Sequence, residues 1–119
     1  MKPGTQSFKT EKVYLAHSTK EHDHQLARIE FWVIKTFGMV VTCAYRKKRH
    51  KNDLHGTIPV RAKDIRSWCY DNPEEVTAAI NNKWVYDPTR PKKKIAVYHD
   101  SGEGPHIHLQ THPRTRRRM

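Results

Sequence analysis

Two histidines one residue apart, His106 and His108, open the chemical reading of this chain. The run His106 to Thr111 alternates apolar and polar residues and predicts a strand, so both imidazoles share one face and Ile107 takes the other. Upstream, His55 and Asp64 follow an apolar run that ends at Tyr45. His55, Asp64 and His108 make an N/O set for one divalent metal ion, zinc by its donor types, with a fourth position left open as in catalytic sites. Asp100 and Glu103, in the turn before His106, offer carboxylates that could take a proton from a metal-bound water and return it. Arg46 could hold a carboxylate or a developing oxyanion. Each feature has an ordinary alternative. Nine histidines in 119 residues make a chance H-x-H pair common. Asp, Ser, Gly and Glu are usual turn residues, and Arg46 also opens the solvated basic run Arg46-Lys47-Lys48-Arg49.

These residues need elements to position them. Met1 to His17 reads as a polar lead with one apolar patch, Val13 to Ala16. Ser18 and Glu21 match a capping box, which predicts a helix over Thr19 to Phe37. Leu26, Ile29, Val33 and Phe37 fall on one face of it, and Gly38 ends it. Met39 to Tyr45 predicts a buried strand, Arg46 to Asp53 a basic loop, and Ile58 to Arg66 an extended segment. Asn72-Pro73-Glu74-Glu75 predicts a helix start whose buried face is Val76, Ala79, Ile80 and Trp84. Asp87 to Lys94 reads as a loop, and Ile95 to His99 as the hairpin partner of His106 to Thr111. Pro113 to Met119 is a basic tail, expected to be disordered. The order predicts an α+β fold with a small, mainly antiparallel sheet flanked by two helices. The expected organisation is a lead (1–17), one domain (18–112) and the tail (113–119).

Composition bounds the function. A chain of 119 residues suits one domain, and its mean hydropathy of −0.94 implies a thin core that a metal would help to hold. A net charge of +11, from 23 Lys+Arg against 12 Asp+Glu, attracts polyanions such as nucleic acid, teichoic acids or anionic lipid. The expected contacts are Arg46–Lys51, Lys92–Lys94 and the C-terminal arginine run. Cys43 and Cys69 are too few for a disulfide framework and are expected to be reduced and partly buried. No window approaches the ~18 apolar residues of a membrane span, and Met1 to Lys12 lacks the apolar core of a signal peptide. Synthesis in the cytoplasm without a signal peptide is the resulting expectation.

Read together, the segments resemble a known family. Val40-Val41-Thr42-Cys43-Ala44-Tyr45-Arg46 resembles the "ITSGYR" strand of the zinc D-alanyl-D-alanine carboxypeptidases. Leu54-His55, then Arg61-Ala62-Lys63-Asp64-Ile65-Arg66, resembles the "SxHxxGxAxD" motif of these peptidases, and more closely the "LHxxGRAVDIT" version of the hedgehog signalling domain, which shares their fold. Val97-Tyr98-His99-Asp100-Ser101 followed by His106-Ile107-His108 resembles the hedgehog "VYYES…HIH" segment. The resemblance spans Leu26 to His112. It implies a hedgehog/DD-peptidase-like fold with one zinc per chain on His55, Asp64 and His108, and with His106 steadying the reacting oxygen. It also implies Arg46 as substrate anchor and a carboxylate base. Glu103 matches the peptidase E-x-x-H arrangement, which would make His106 the ligand, whereas Asp100 matches the hedgehog-type glutamate; the preferred assignment keeps His108 as ligand and Glu103 as base. The sequence departs from the family in spacing: Asp64 stands nine residues after His55 where the family usually places it seven after, through an extra Thr57-Ile58-Pro59 segment, and Val60 replaces a glycine.

The resemblance implies a zinc peptidase that hydrolyses peptidoglycan stem or cross-link peptides, similar to compact phage-encoded members, acting in a virion or after release to the wall. Two alternatives stand beside it. One is a non-catalytic zinc-bearing module of the same fold, a virion or assembly component. The other is a nucleic-acid enzyme of the H-U-H class, which Pro105 to Gln110 resembles; that class needs a tyrosine nucleophile after the motif, and none follows Tyr98.

Overall fold

A computed structural model describes residues 1–100, 102 and 104–118. A five-stranded sheet runs in the order β1 (Gln6–Phe8), β2 (Met39–Cys43), β3 (Ala62–Arg66), β6 (Pro105–Gln110), β5 (Ala96–Asp100). Only β1 and β2 are parallel; the other pairs are antiparallel. Three helices, α1 (Glu11–Ser18), α2 (His24–Phe37) and α3 (Pro73–Lys83), complete an α+β domain. A small second ribbon pairs β4 (Trp84–Val85) with β7 (Arg116–Arg117).

The main helix starts later than the Ser18/Glu21 pattern predicts. Asp23 caps it, accepting the Leu26 N–H at 3.2 Å. Asp23 also accepts from Thr111 Oγ1 at 2.9 Å and Arg61 Nη1 at 3.0 Å, so the helix start is tied to strands that only the fold brings near. Leu26, Ile29 and Val33 are fully buried against Ile65, Ile107 and Leu109 of the sheet and Ile80 of α3. Gly38 ends the helix at φ +78°, where a Cβ would collide with the Lys2 carbonyl oxygen. Asn72 caps α3, as predicted, but the helix stops at Lys83, and the buried Trp84 belongs to a strand.

Both ends of the chain are more ordered than their polarity suggests. The N-terminal lead forms β1 and α1, whose Thr10 cap accepts the Val13 N–H. At the other end, the tail expected to be disordered pairs Arg116 and Arg117 with Val85 and Trp84. Thr115, 3% exposed, donates to the Tyr86 carbonyl at 2.8 Å. The backbone of that strand supplies hydrogen bonds regardless of its charged side chains, a pairing that residue polarity does not encode. Deleting residues 114–119 is therefore expected to lower stability by about 1–3 kcal/mol in urea unfolding. A disordered tail would leave the midpoint unchanged.

Beneath α2 lies a buried polar cluster. Lys63, 0% exposed on the core face of β3, places Nζ 2.7 Å from Glu30 Oε1, 2.7 Å from His17 Nδ1 and 3.3 Å from His22 Nδ1. Three acceptors match the three hydrogens of an ammonium, and both rings must be neutral to accept. The other ring nitrogen of His22 then donates to the His17 carbonyl at 2.7 Å. Burial, then the Lys63 charge and His22, hold His17 down at about 4, against an ordinary 6.5. A histidine depressed in the fold contributes its full stability above pH ~6.5 and loses it as pH falls through about 4. Since His17 is half-exposed, solvent screening leaves about 1–2 kcal/mol of that loss. Thermal melts between pH 7 and 4 should show it, and His17→Asn, which keeps an acceptor that does not titrate, should flatten the slope. An unchanged slope would place the acid sensitivity elsewhere.

Candidate metal centre

The face of the sheet away from α2 carries the chemistry. In the β3–β6 register Asp64 lies opposite His108 and Arg66 opposite His106; in β5–β6, His99 lies opposite His106. Strand alternation then brings Asp64, His99, His106 and His108 to one face. His55 reaches the same place from a one-turn 3-10 segment, Leu54–Gly56, and is 3% exposed. Asp53 caps that turn, accepting from the N–H groups of His55 at 3.1 Å and Arg49 at 3.0 Å and from the Arg46 guanidinium. The extra segment between His55 and Asp64 bulges outward: Ile58 is 58% exposed, while Val60 is buried and bonded to Glu21.

Three imidazoles aim at one oxygen, Oδ1 of Asp64. His55 Nε2 lies 3.3 Å from it, His108 Nδ1 2.9 Å and His106 Nε2 3.7 Å. In each ring the other nitrogen faces a carbonyl-type oxygen. His55 Nδ1 is 3.2 Å from the Ala44 carbonyl, His106 Nδ1 3.1 Å from that of Gly104, and His108 Nε2 3.2 Å from Gln110 Oε1. Gln110 is itself oriented by its amide, which donates to the Lys94 carbonyl at 2.8 Å. A ring that donates at its outer nitrogen presents a lone pair at its inner one, the arrangement that holds metal-ligating histidines. Donors on a tetrahedral zinc lie roughly 3.3–3.5 Å apart, from its bond lengths and angles. The three distances to Asp64 bracket that spacing, but among the described residues His106 and His108 fall outside the one group whose donor atoms all lie close to one another.

Cys43, His55 and Asp64 together form a group that could hold a metal ion, their candidate donor atoms all lying within 4.8 Å of one another. Cys43 Sγ, however, lies 3.8 Å from His55 Nδ1, on the side already facing the Ala44 carbonyl. Cys43 reaches this face through a β-bulge. Val41 pairs with Ile65 but Cys43 pairs with Asp64, so Thr42 is an extra residue in β2. Unbulged alternation would have kept Cys43 on the core face beside Val41. Both cysteines are free and half-buried.

The electrostatics follow from the same contacts. Burial opposes the charge on Asp64, but hydrogen bonds from His108 and His55 outweigh it and hold the carboxyl well below its usual range. Burial likewise opposes a charge on His55, and its bonds to Asp64 and Cys43 push it up to about 10. Burial, then His106 and His108, lower His99.

The site opens into a cleft of about 740 Å³. Arg46, Lys48, Lys51, Arg90 and Lys93 line it; among the described residues the only acids there are Asp53 and Asp64. Arg46 is engaged with Asp53 at the cleft wall. Asp100 is exposed and its Oδ1 accepts the N–H groups of Gly102 at 2.8 Å and Gly104 at 3.1 Å, holding the turn. Glu103 lies outside the described residues. Sequence reasoning missed Cys43, His99 and Gln110. The hairpin pattern could have found His99, since pairing the two strands sets it across from His106; nothing in the sequence announces the bulge that turns Cys43.

No protein-family model, no curated protein and no solved structure matches this chain.

Proposed function

We propose that the chain is a zinc-dependent peptidase acting on cell-wall stem or cross-link peptides, with His55, Asp64 and His108 as zinc ligands. The observation that carries this reading is the convergence of imidazole nitrogens on Asp64 Oδ1 at the floor of an open cationic cleft. The peptide substrate class rests on the resemblance to DD-peptidases. A zinc ion in this place supplies Lewis acidity toward a carbonyl oxygen and toward water.

The chain's own groups would do the rest. Ala44 and Gln110 hold the His55 and His108 rings so that their free nitrogens stay inward. His106, 3.7 Å from Asp64, would hydrogen-bond a reacting oxygen. Arg46 lines the cleft while bonded to Asp53, and would anchor a substrate carboxylate. Glu103 is the proposed proton acceptor, with Asp100 as the alternative, although the Asp100 carboxylate already serves its turn. Such a protein would act as a phage-encoded component, in the virion or released to the wall. No described helix is long and apolar enough to cross a membrane.

Purified peptidoglycan tests the proposal. Glu103→Gln should retain zinc while turnover falls at least about a hundredfold, the usual weight of a general base. Arg46→Ala should mainly lower kcat/KM, again with zinc intact. Loss of activity in Asp100→Asn but not in Glu103→Gln would reverse the base assignment. Firm zinc binding by a wild type that cleaves no muropeptide would replace the peptidase reading with the non-catalytic module.

A further inference from the structure

Away from the metal centre, two adjoining clefts flank the β4–β7 ribbon, of about 480 and 250 Å³. Both are lined in part by Trp84 and Arg116, while Val85 and Arg118 line only the smaller and Arg117 only the larger. The larger has an aromatic floor of Phe31, Trp32 and Trp84. Phe31 is 69% exposed although it is a phenylalanine on the surface of a packed helix. Arg28, Lys83 and Arg117 rim that floor, and Lys83 Nζ stands 5.0 Å over the Trp32 ring. The smaller cleft is lined by Tyr86, Lys93, Lys94 and Arg118 among others. Among the described residues, no acid lines either cleft. The larger cleft thus gathers four cations, Arg28, Lys83, Arg116 and Arg117, around one exposed phenylalanine.

We propose that the larger cleft binds single-stranded nucleic acid, its phosphates on Arg28, Lys83, Arg116 and Arg117 and its bases against the exposed ring of Phe31. Cations alone would suit any polyanion. The aromatic floor selects among them: polyol-phosphate wall polymers and inorganic polyphosphate have no flat apolar face to cover Phe31, whereas every base has one. A duplex hides those faces in its stack, so unpaired bases are the matching chemistry. The larger cleft contains none of the residues proposed to bind zinc. The activity therefore stands or falls independently of the peptidase reading.

The test is fluorescence anisotropy with a labelled oligothymidylate of about 15 nucleotides, titrated against salt. Phe31→Ala, an exposed position that the core does not need, should weaken binding about 5- to 150-fold. Arg28→Gln/Arg117→Gln should reduce the slope of log affinity against log salt by about 1.4, at roughly 0.7 per charge on a single strand. Lys2→Gln/Lys12→Gln removes as much charge from exposed positions outside both clefts and should change affinity several-fold less. Inorganic polyphosphate and anionic vesicles should compete poorly at matched charge. Equal competition by polyphosphate together with an unaffected Phe31→Ala would overturn the proposal in favour of a general polyanion surface. Equal losses in the two double-charge variants, or no binding of the oligonucleotide at low salt, would also overturn it.

Discussion

Lys63→Met is expected to destabilise the fold by about 3–5 kcal/mol, read from urea unfolding at neutral pH. The ammonium is fully enclosed, and its removal strands Glu30, itself 4% exposed, with no cation beside it. Burial already pushes the Glu30 carboxyl up and the Lys63 ammonium down, and their 2.7 Å contact is what opposes both shifts. The variant should therefore also take up a proton on folding, and its stability should rise as pH falls toward the range where Glu30 becomes neutral. Lys63→Met/Glu30→Leu removes both charges and should recover most of the loss, because the Coulombic gain of a buried pair scarcely exceeds its desolvation. A single substitution costing under about 1 kcal/mol would mean that Glu30 is neutral in the native protein and that the cluster is not an ion pair. The experiment matters for function through geometry. Lys63 and Asp64 are neighbours on opposite faces of β3, so the cluster that anchors α1 and α2 also sets the strand that presents the carboxylate.

The second large effect concerns the metal. Wild-type protein should bind about one zinc ion per chain, and zinc at a hundredfold excess over Kd should add about 2.7 kcal/mol, raising Tm by roughly 10 °C. Asp64→Ala should abolish that shift, because Oδ1 is the atom on which the imidazole nitrogens converge. Gln110→Ala, which frees the outer nitrogen of His108, should weaken affinity about 10- to 100-fold without removing a ligand. A paired comparison then decides the third ligand. His108→Ala is expected to lose zinc and Cys43→Ser to keep most of it, since the thiol sits on the outer side of His55. The opposite result would make Cys43, His55 and Asp64 the metal-binding group and leave His108 as a partner of the carboxylate. No zinc uptake by the wild type would remove the basis of the peptidase reading altogether.

Much of this site is written in local periodicities. The two-residue period of a strand suffices to set His106 and His108 on one face with Ile107 on the other, whatever the strand pairs with. The helical period of Leu26, Ile29 and Val33 similarly marks a buried face before any partner is known. Pro73 and Asn72 announce the start of α3 through φ and capping alone. His55 and Asp64 are identifiable as metal-ligand types, but the eight intervening positions say nothing about a 3.3 Å approach; the outward loop at Ile58 makes it possible.

Other features had no local signature. Lys63 looks like a surface lysine in the polar stretch Arg61-Ala62-Lys63-Asp64, and its burial depends on three acceptors drawn from α1, its following loop and α2. β1, α1 and β7 are short and polar, and each is ordered by pairing or packing with residues distant along the chain.

The sequence by itself determined which residues could do chemistry, the faces of its longest elements, and an excess of positive charge, because residue type and periodicity are properties of neighbours in the chain. The tertiary structure alone decided that three imidazoles meet at one carboxylate oxygen, that Cys43 turns toward them, and that the cations and aromatics of α2, β4 and β7 line one groove. Those outcomes depend on register, a bulge and the closing of loops, where single-residue shifts exchange one face of a strand for the other.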